Sequence, residues 1–439
     1  MSASTTGPLP RTQPPWTPWR TVTAFGLVSL AGDMVYEGMR STAGPFLGTL
    51  GASALAVGLV TGAGEAMALL LRLFSGPLAD RSGRYWSLTI LGYAMTAVCV
   101  PLLAVAPFMG SLGLALAATL ILLERAGKAI RSPSKSALLA RVAVSVGRGR
   151  GFAVHKALDQ VGAFAGPLMV AGVIALAGVQ WPAFAVLAIP GAACMLLLFT
   201  LKRHTEGTGG SAAGAIPDRG ARQSSPAGAV VEPRTLPGHF YAFAASCALG
   251  TLGLMTFGVI SYHLVDAGLV RTAVVPLLYA AAMATEAVAA LGTGFAYDRW
   301  GPAILFTLPA VIIAVPSLAL SDTLTLVVAG VLLWGAVTGV QDSTVKALVA
   351  DLVPQRRLAT AYGVFAAFQG VAALAGGTLA GGLYTEHRAL LITLVALTQV
   401  LSAGLLVLAF HGRQPHPRRH QSREQDTTTE SGSDVRHRS

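Results

Sequence analysis

The sequence predicts an all-α membrane protein with twelve transmembrane helices arranged as two pseudo-symmetric six-helix bundles. Hydrophobic residues make up 53% of the 439 residues and charged residues only 12%, whereas soluble domains carry about 25% charged residues. Apolar runs of about 20 residues, long enough to cross a bilayer as a helix, recur along almost the whole chain. A short polar motif also occurs twice, once in each half. These three observations place most of the chain in lipid.

Each apolar run predicts a helix, because a backbone surrounded by lipid must satisfy its own hydrogen bonds. The predicted spans of the first half are Val22–Leu47, Leu55–Ala79, Trp86–Ala106, Leu112–Ile130, Phe152–Ala177 and Pro182–Leu201. Those of the second half are Phe240–Val265, Val274–Tyr297, Ala303–Leu320, Leu324–Val349, Ala359–Tyr384 and Ala389–Phe410.

The segments outside these spans define the predicted domains. Residues 202–238 are rich in Gly, Ala, Ser, Pro and Arg, which predicts a flexible linker between an N-terminal bundle (22–201) and a C-terminal bundle (239–410). Residues 1–21 form an N-terminal segment and residues 411–439 a polar tail, which we expect to be disordered.

Basic residues predict the orientation of the chain. Of the 31 Lys and Arg residues, 23 lie in the termini, the linker and the loops on the same side, whereas the opposite loops contain only Arg271 and Arg388. The positive-inside rule therefore predicts a multi-pass protein of the plasma (cell inner) membrane with both termini in the cytoplasm. The net charge of +11 is distributed in short clusters between apolar runs, which favours contact with anionic lipid and no nucleic-acid partner.

A repeated motif relates the two halves. Gly76, Asp80, Arg81 and Gly83 recur as Gly294, Asp298, Arg299 and Gly301, each displaced by 218 positions. A duplication of six helices explains this spacing, and transporters with two parallel halves place their binding site between them.

The residues around the first copy, Gly76-Pro-Leu-Ala-Asp80-Arg81-Ser-Gly83-Arg84-Tyr85, resemble the signature loop of the major facilitator superfamily, a family of secondary transporters. Tyr85 stands where the family often has a basic residue. The resemblance covers both halves and implies a moving cytoplasmic gate at Gly76, Asp80, Arg81, Gly83 and Arg84, with Asp298 and Arg299 in the second copy. We expect Gly76 to permit close helix contact and Asp80 to accept hydrogen bonds from a helix N-terminus or an Arg.

Two further elements are similar to this family. Arg125 matches an arginine that often lies on the transport path in the fourth helix, although Lys128 replaces the usual Gln. Gly162-Ala-Phe-Ala-Gly166-Pro167 resembles the core of the family's antiporter signature and so favours export. Small residues that let two helices pack closely explain the same pattern equally well.

Ionisable residues within the predicted spans are candidate pathway residues, since a charge inside a membrane is costly unless it is paired or hydrated. Asp33, Glu37 and Arg40 share one face of the first helix by their spacing, and Glu286 has no basic residue on its own helix. Structural pairing explains some of these groups equally well, among them Asp342 and Lys346. The candidates for proton coupling or the substrate pathway are Asp33, Glu37, Arg40, Glu65, Glu124, Arg125, Lys128, His155, Asp159, Glu286, Gln341 and Gln369.

These features predict a monomeric secondary transporter that moves a small solute by alternating access, with proton-coupled export as the preferred mode. Uptake of an anionic metabolite by proton or cation symport is the alternative, and a non-transporting sensor or scaffold is a third interpretation. No GxxxxGK[ST], HExxH or GxSxG motif occurs, so we expect no ATPase or hydrolase activity. We also expect no cofactor. We expect no bound metal, because the histidines of the tail lack the spacing of metal ligands.

Overall fold

The computed structural model describes residues 16–206 and 236–411, apart from Lys346, Ala347, Ala350, Asp351, Gln355 and Arg356 and the side chains of Arg148, Asp298, Thr344 and Ala359. Most of the linker, most of the tail and the predicted Asp342–Lys346 pair therefore lie outside the described residues. Within the described part, eleven helices are long and apolar enough to cross a membrane. A further helix, Pro18–Thr49, carries Asp33, Glu37 and Arg40. The predicted all-α fold with twelve transmembrane helices is confirmed.

The twelve membrane helices are numbered α1 to α12, and several are interrupted. Those of the N-terminal half are α1 (Pro18–Thr49), α2 (Ala54–Leu70 and Arg72–Ser82), α3 (Tyr85–Leu102), α4 (Gly113–Ala143), α5 (Arg148–Ala177) and α6 (Trp181–Val186 and Ala188–Glu206). Those of the C-terminal half are α7a (Gly238–Leu254) with α7b (Phe257–Asp266), α8 (Val275–Trp300), α9 (Thr307–Ala319), α10 (Leu324–Val340), α11 (Leu358–Leu383) and α12 (Arg388–Phe410).

Helix packing shows the pseudo-symmetry of the two halves. In the N-terminal half α1 packs against α5 and α6, α3 against α4, and α2 against α4. The equivalent pairs in the C-terminal half, α7 with α11 and α12, α9 with α10, and α8 with α10, are also in contact. Between the halves α2 packs on α11 and α5 on α8, and exchange of the halves interconverts these two interfaces. Large apolar side chains such as Leu176 (92% exposed) and Phe295 (76% exposed) point away from both bundles, as lipid-facing residues do.

The repeated motif ends a helix at a glycine with positive φ in both halves. Gly83 ends α2 with φ +63°, and Gly301 ends α8 with φ +65°. Residues with a Cβ rarely adopt such angles, so glycine is favoured at both positions. This agreement explains why the two glycines recur at the same spacing.

The sequence prediction is wrong about several helix bounds. α4 continues to Ala143, beyond the predicted end at Ile130, because Arg131 is only 3% exposed and is paired inside the bundle instead of lying in a loop. α6 continues to Glu206 in the predicted linker. The seventh span is not continuous: it is broken at Met255, a non-glycine residue with φ +60°.

The closest contacts between the halves lie towards one end of the bundle, which we call the far end because it is opposite the described chain termini. There α2 touches α11 so closely that a Cβ on Gly58 would come within 2.1 Å of the Gly377 carbonyl oxygen. Likewise, a Cβ on Gly44 of α1 would lie 2.1 Å from the Gly258 carbonyl oxygen of α7b. Thr61 and Thr256 join α2 to the start of α7b by a hydrogen bond of 2.7 Å. These contacts bring the halves together at the far end.

Candidate functional site

An ion-pair chain runs across the N-terminal half beside the interface between the halves. Arg40 Nη2 lies 3.0 Å from Glu65 Oε1, and Arg40 Nη1 lies 3.7 Å from Glu37 Oε2. Arg125 Nη1 reaches the same Glu65 oxygen at 3.5 Å, and Arg125 Nε lies 3.3 Å from Glu124 Oε2. The structure therefore brings together five of the predicted pathway residues, from α1, α2 and α4. Their opposite charges offset one another inside the protein.

The side chain of Tyr36 on α1 contacts two basic residues of α4. The Arg125 guanidinium carbon is 4.0 Å from the centroid of the Tyr36 ring, and Arg125 donates a hydrogen bond to the Tyr36 hydroxyl. The Lys128 ammonium lies 3.3 Å from the same centroid. Lys128 is therefore held by a cation–π contact.

The C-terminal half faces this charged surface with an aromatic one, formed by Phe257, Tyr279 and Trp334. The Tyr279 hydroxyl donates a 2.5 Å hydrogen bond to Glu37 Oε2. The Arg40 guanidinium carbon lies 6.0 Å from the Tyr279 ring centroid and 5.9 Å from that of Trp334. α1 and the C-terminal half are thus joined by a hydrogen bond and cation–π contacts at the middle of the molecule.

A small cavity lies at this junction. It is lined by Met39, Arg40, Ala43, Thr61, Gly64, Glu65, Ile121, Arg125, Thr256, Phe257 and Gly258. Both halves contribute to its lining, with charge from the N-terminal half and the Phe257 ring from the C-terminal half. A cavity shared by the halves changes its shape whenever the halves move against each other.

A second polar cluster lies nearer the chain termini, where α1, α4 and α5 meet. The side chains of Asp33 and Asp159 face each other. Around them, Arg131 Nη2 is 3.9 Å from Asp33 Oδ1, Lys135 Nζ is 4.0 Å from Asp159 Oδ1, and Lys156 Nζ is 3.0 Å from Asp159 Oδ2. Two carboxyl groups can form a hydrogen bond only if one of them carries a proton. The pair is therefore able to bind a proton inside the bundle.

Ser29 extends this cluster by one turn of α1. Its hydroxyl lies 2.8 Å from His155 Nε2 and 3.2 Å from the Tyr93 hydroxyl, and it accepts a 2.9 Å hydrogen bond from Lys135 Nζ. The polar face of α1 thus runs from Ser29 through Asp33 and Glu37 to Arg40, about 16 Å at 1.5 Å per residue. The two clusters are connected through Arg131, whose Nη1 lies 3.9 Å from Glu124 Oε1.

The C-terminal half contains fewer polar candidates. The half-buried Glu286 carboxyl on α8 has no hydrogen-bond or ion-pair partner among the described residues. The Thr251 hydroxyl of α7a faces the side-chain oxygens of both Gln341, at 3.5 Å, and Gln369, which share its single hydrogen. The two glutamines are thereby held between α7a, α10 and α11.

The predicted gate loop is exposed at the end of α2, and two of its expected contacts differ. The prediction of close helix contact at Gly76 is wrong in this conformation, because a Cβ there would meet no atom within 4 Å. Asp80 accepts a 3.0 Å hydrogen bond from the Tyr85 hydroxyl instead of from an Arg or a helix N-terminus. The Arg141 guanidinium carbon stacks 4.7 Å from the Tyr85 ring centroid. Tyr85 therefore connects Asp80 to a positive charge supplied by α4.

The remaining gate residues are solvent-exposed. The side chains of Arg81, Arg84 and Arg299 are on the surface, and Arg299 stacks 6.0 Å from the Trp300 ring centroid. The side chain of Asp298 lies outside the described residues. Among the described side chains, no hydrogen bond or ion pair joins the two copies of the motif.

Several residues of the site are missed by sequence reasoning. Tyr36, Tyr279 and Trp334 look like ordinary apolar positions of membrane helices, and no local signal marks them. Arg131 and Lys135 fall in a predicted loop because of their charge. Their spacing of three and seven residues from Lys128 places all three on one face of a helix, which is the signal that could have identified them.

Comparison with known proteins agrees with this architecture. The family model described as Major Facilitator Superfamily matches residues 25–376 and 272–438. "Uncharacterized protein Rv2265" of Mycobacterium tuberculosis (strain ATCC 25618 / H37Rv) is 47% identical over 409 residues, covering 92% of this chain and 95% of that protein. A protein of Mycobacterium bovis, "Uncharacterized protein Mb2288", matches to the same extent.

Solved structures of transporters have a similar fold. A mutant of the nucleoside transporter NupG superposes with a TM-score of 0.67 at 14% identity, over 89% of this chain and 100% of that chain. A bacterial homologue of the iron transporter ferroportin in the inward-facing state gives a TM-score of 0.65 at 13% identity, over 90% of this chain and 99% of that chain. At these identities the likeness concerns the fold alone. Together with the family match, it shows that the chain belongs to the Major Facilitator Superfamily and has the fold of its secondary transporters.

Proposed function

We propose that this protein exports a small solute across the plasma membrane in exchange for protons, by alternating access. The observation that carries the proposal is the cavity between the halves, with Arg40, Glu65 and Arg125 on one side and Phe257 on the other. A solute bound there contacts both halves, so its binding energy depends on their relative position. Such a difference in affinity is what couples solute binding to the movement of the halves.

The proposed topology follows the distribution of basic residues. The bundles 22–201 and 239–410 are joined by a cytoplasmic linker, 202–238, and both termini are in the cytoplasm. In this orientation the far end is the outer end of the bundle. The close contacts of Gly58 with Gly377 and of Gly44 with Gly258 then support an inward-facing conformation, closed towards the outside.

Proton coupling is proposed at the Asp33–Asp159 pair and at the carboxyl of Glu286. In this proposal the aspartate pair shares one proton. The pair contacts three basic groups, those of Arg131, Lys135 and Lys156. Loss of that proton leaves two adjacent negative charges, which repel each other and attract the neighbouring cations more strongly. Glu65 remains a candidate, although its contacts with Arg40 and Arg125 favour the ionised form.

The proposed direction of transport depends on the resemblance of residues 162–167 to the antiporter signature. In the structure this segment packs on α1: a Cβ on Gly162 would lie 2.2 Å from the Leu30 carbonyl oxygen. The segment therefore holds the helix that carries Asp159 against the helix that carries Asp33. This position supports a role in proton exchange and equally serves helix packing.

The test combines a ligand screen with a coupling assay. A screen for solutes that raise the melting temperature of the purified protein identifies a substrate, which is then added to inside-out vesicles with an acidic lumen. We expect the lumen to become more alkaline, because antiport removes protons as solute enters. Asp33→Asn, Glu65→Gln and Glu286→Gln are compared with the control Glu206→Gln, whose carboxylate is surface-exposed. At least one of the three should fold normally and lose coupling.

Other outcomes identify other functions. Substrate-induced acidification of the lumen supports the alternative, uptake by symport, which the cavity arginines Arg40 and Arg125 favour for an anionic solute. Unchanged proton coupling in all three variants contradicts the proposed proton sites. A sensor or scaffold is supported if no solute stabilises the protein and Asp80→Asn leaves every cellular phenotype intact.

A further inference from the structure

A polar network at the far end of the C-terminal half is separate from the cavity and from the charged clusters. It joins four places in the chain: the end of α7b, the loop between α9 and α10, the end of α11 and the start of α12. At its centre is the fully buried imidazole of His263 on α7b. The imidazole Nε2 lies 2.9 Å from the Ser321 carbonyl oxygen, and Nδ1 lies 3.0 Å from the Tyr384 hydroxyl. The Tyr384 hydroxyl also donates a 2.8 Å hydrogen bond to Asp266 Oδ2.

The number of protons in this network is limited. A carbonyl oxygen only accepts, so Nε2 must carry a hydrogen and donate it to Ser321. The exposed Asp266 carboxylate accepts its bond from Tyr384, so the hydrogen in that bond is that of the tyrosine hydroxyl. The third bond, between Tyr384 and Nδ1, then requires a hydrogen on Nδ1 as well. All three bonds form together only when His263 is an imidazolium.

The neighbouring groups do not change the number of hydrogens in the network. The charged groups that face the imidazole are Asp266 on its own helix, Asp322 in the α9–α10 loop and Arg388 at the start of α12. Arg388 is paired with Asp322 at 2.9 Å, and the Tyr262 hydroxyl near Asp266 carries its own hydrogen. Burial and the hydrogen bond to Asp266 raise the pKa of Tyr384 above its ordinary value, so its hydroxyl stays protonated. With the imidazolium, the four charges of His263, Asp266, Asp322 and Arg388 sum to zero.

We propose that His263 is a proton-binding site at the far end, and that the bound proton fastens α7b to α11 and to the α9–α10 loop. When the proton leaves, three hydrogen bonds compete for two hydrogens, and Tyr384 must release either Asp266 or the imidazole. All three hydrogen bonds are therefore present below the pKa of His263, and one of them is lost as the pH rises through that pKa.

The position of α7b connects this site with closure of the far end. α7b follows the helix break at Met255, and its other side meets α1, where Tyr262 packs against Gly48 and Gly258 against Gly44. With one hydrogen bond fewer to its own half, α7b changes its contact with the other half more easily. Deprotonation of His263 is thus expected to make the far end open more readily. This inference needs neither the substrate nor the direction of transport proposed above.

The proton is tested directly by NMR of the full-length protein in lipid nanodiscs with ¹⁵N-labelled histidine. Because the chain has nine histidines, the His263 signals are assigned by their loss in His263→Asn. We expect both ring nitrogens to be protonated at acidic pH and only Nε2 at alkaline pH. Tyr384→Phe removes the acceptor of Nδ1–H and should lower the midpoint of the His263 titration by about one pH unit. A neutral imidazole throughout, or an unchanged midpoint in Tyr384→Phe, overturns the proposal.

The effect on closure is tested by spin-label distances between Ser111 and Thr325, exposed residues near the far end of the two halves. The separation should lengthen as the pH rises through the His263 midpoint, and this dependence should disappear in His263→Asn. His387→Asn is the matched control, because it changes a histidine outside the network at the same end. This variant should retain the pH dependence of the distance. A pH-dependent distance that survives in His263→Asn refutes the link to closure. Since no solute flux is measured, a failed transport proposal does not affect either result.

Discussion

Replacement of Glu124 by glutamine tests whether the buried ion-pair chain holds the N-terminal half together. Glu124 is fully buried and contacts two arginines, each only 3% exposed: Arg125 at 3.3 Å and Arg131 at 3.9 Å. It also accepts a 3.0 Å hydrogen bond from Thr96. Glu124→Gln keeps the shape of the side chain and removes its charge, so both guanidinium groups lose a partner within the bundle.

The expected cost follows from what remains around the two arginines. Arg125 keeps Glu65 at 3.5 Å and Tyr36, while Arg131 keeps Asp33 at 3.9 Å. Because breaking a buried ion pair leaves an uncompensated charge, we expect the free energy of unfolding to fall by about 3 to 5 kcal/mol. Glu206→Gln is the control, since its pair with Lys202 at 3.8 Å is exposed and such pairs contribute about 1 kcal/mol or less.

The measurement is reversible unfolding of the purified protein in mixed detergent micelles, followed by circular dichroism, for the wild type and both variants. The reasoning predicts a large loss for Glu124→Gln and almost none for Glu206→Gln. If Glu124→Gln stays within about 1 kcal/mol of the wild type, its charge is not needed to balance the arginines. The ion-pair chain would then have no structural role.

Three further predictions concern the interface and the gate. Gly58→Leu should prevent closure of the far end, because its Cβ would collide with the Gly377 carbonyl. Labelling of cysteines introduced at the far end should therefore increase. The control Gly404→Ala, which has open space beside it, should behave as wild type. Tyr279→Phe leaves a Glu37 oxygen without its donor and should lower the free energy of unfolding by about 1 to 3 kcal/mol; an unchanged melting curve would contradict this. Asp80→Asn weakens the bond from Tyr85 and should slow flux without reducing expression, whereas normal flux would exclude a gating role.

Much of the fold follows from the sequence, because hydropathy and the repeated motif depend on local composition. Apolar runs predict the helices, and the return of Gly83 as Gly301 predicts the pseudo-symmetry, since both glycines end a helix with positive φ. The break in the seventh helix could not be predicted in this way. It occurs at Met255, with neither proline nor glycine at the break itself, and the neighbouring Thr256 is hydrogen-bonded to Thr61 of the other half.

The candidate site is predicted only in part for a similar reason. Charged residues in apolar runs are conspicuous, and Glu37, Arg40, Glu65 and Arg125 do meet in space. Charge alone does not reveal which partner each group has, so Arg131 falls in a predicted loop although it is buried among acids. Aromatic residues such as Tyr279 are inconspicuous in a membrane helix, and their role becomes visible only when the two halves are placed together.

The central claim, alternating access through the cavity between the halves, is tested most directly by thiol labelling of Ala43→Cys in a chain without its native cysteines. Ala43 lines the cavity and is 4% exposed. We expect a membrane-impermeant reagent to reach this cysteine from the cytoplasmic side in inside-out vesicles. In intact cells it should be reached from the outside, at a rate that changes with the proton gradient. Labelling from one side only under every gradient, or from neither side, would contradict the account.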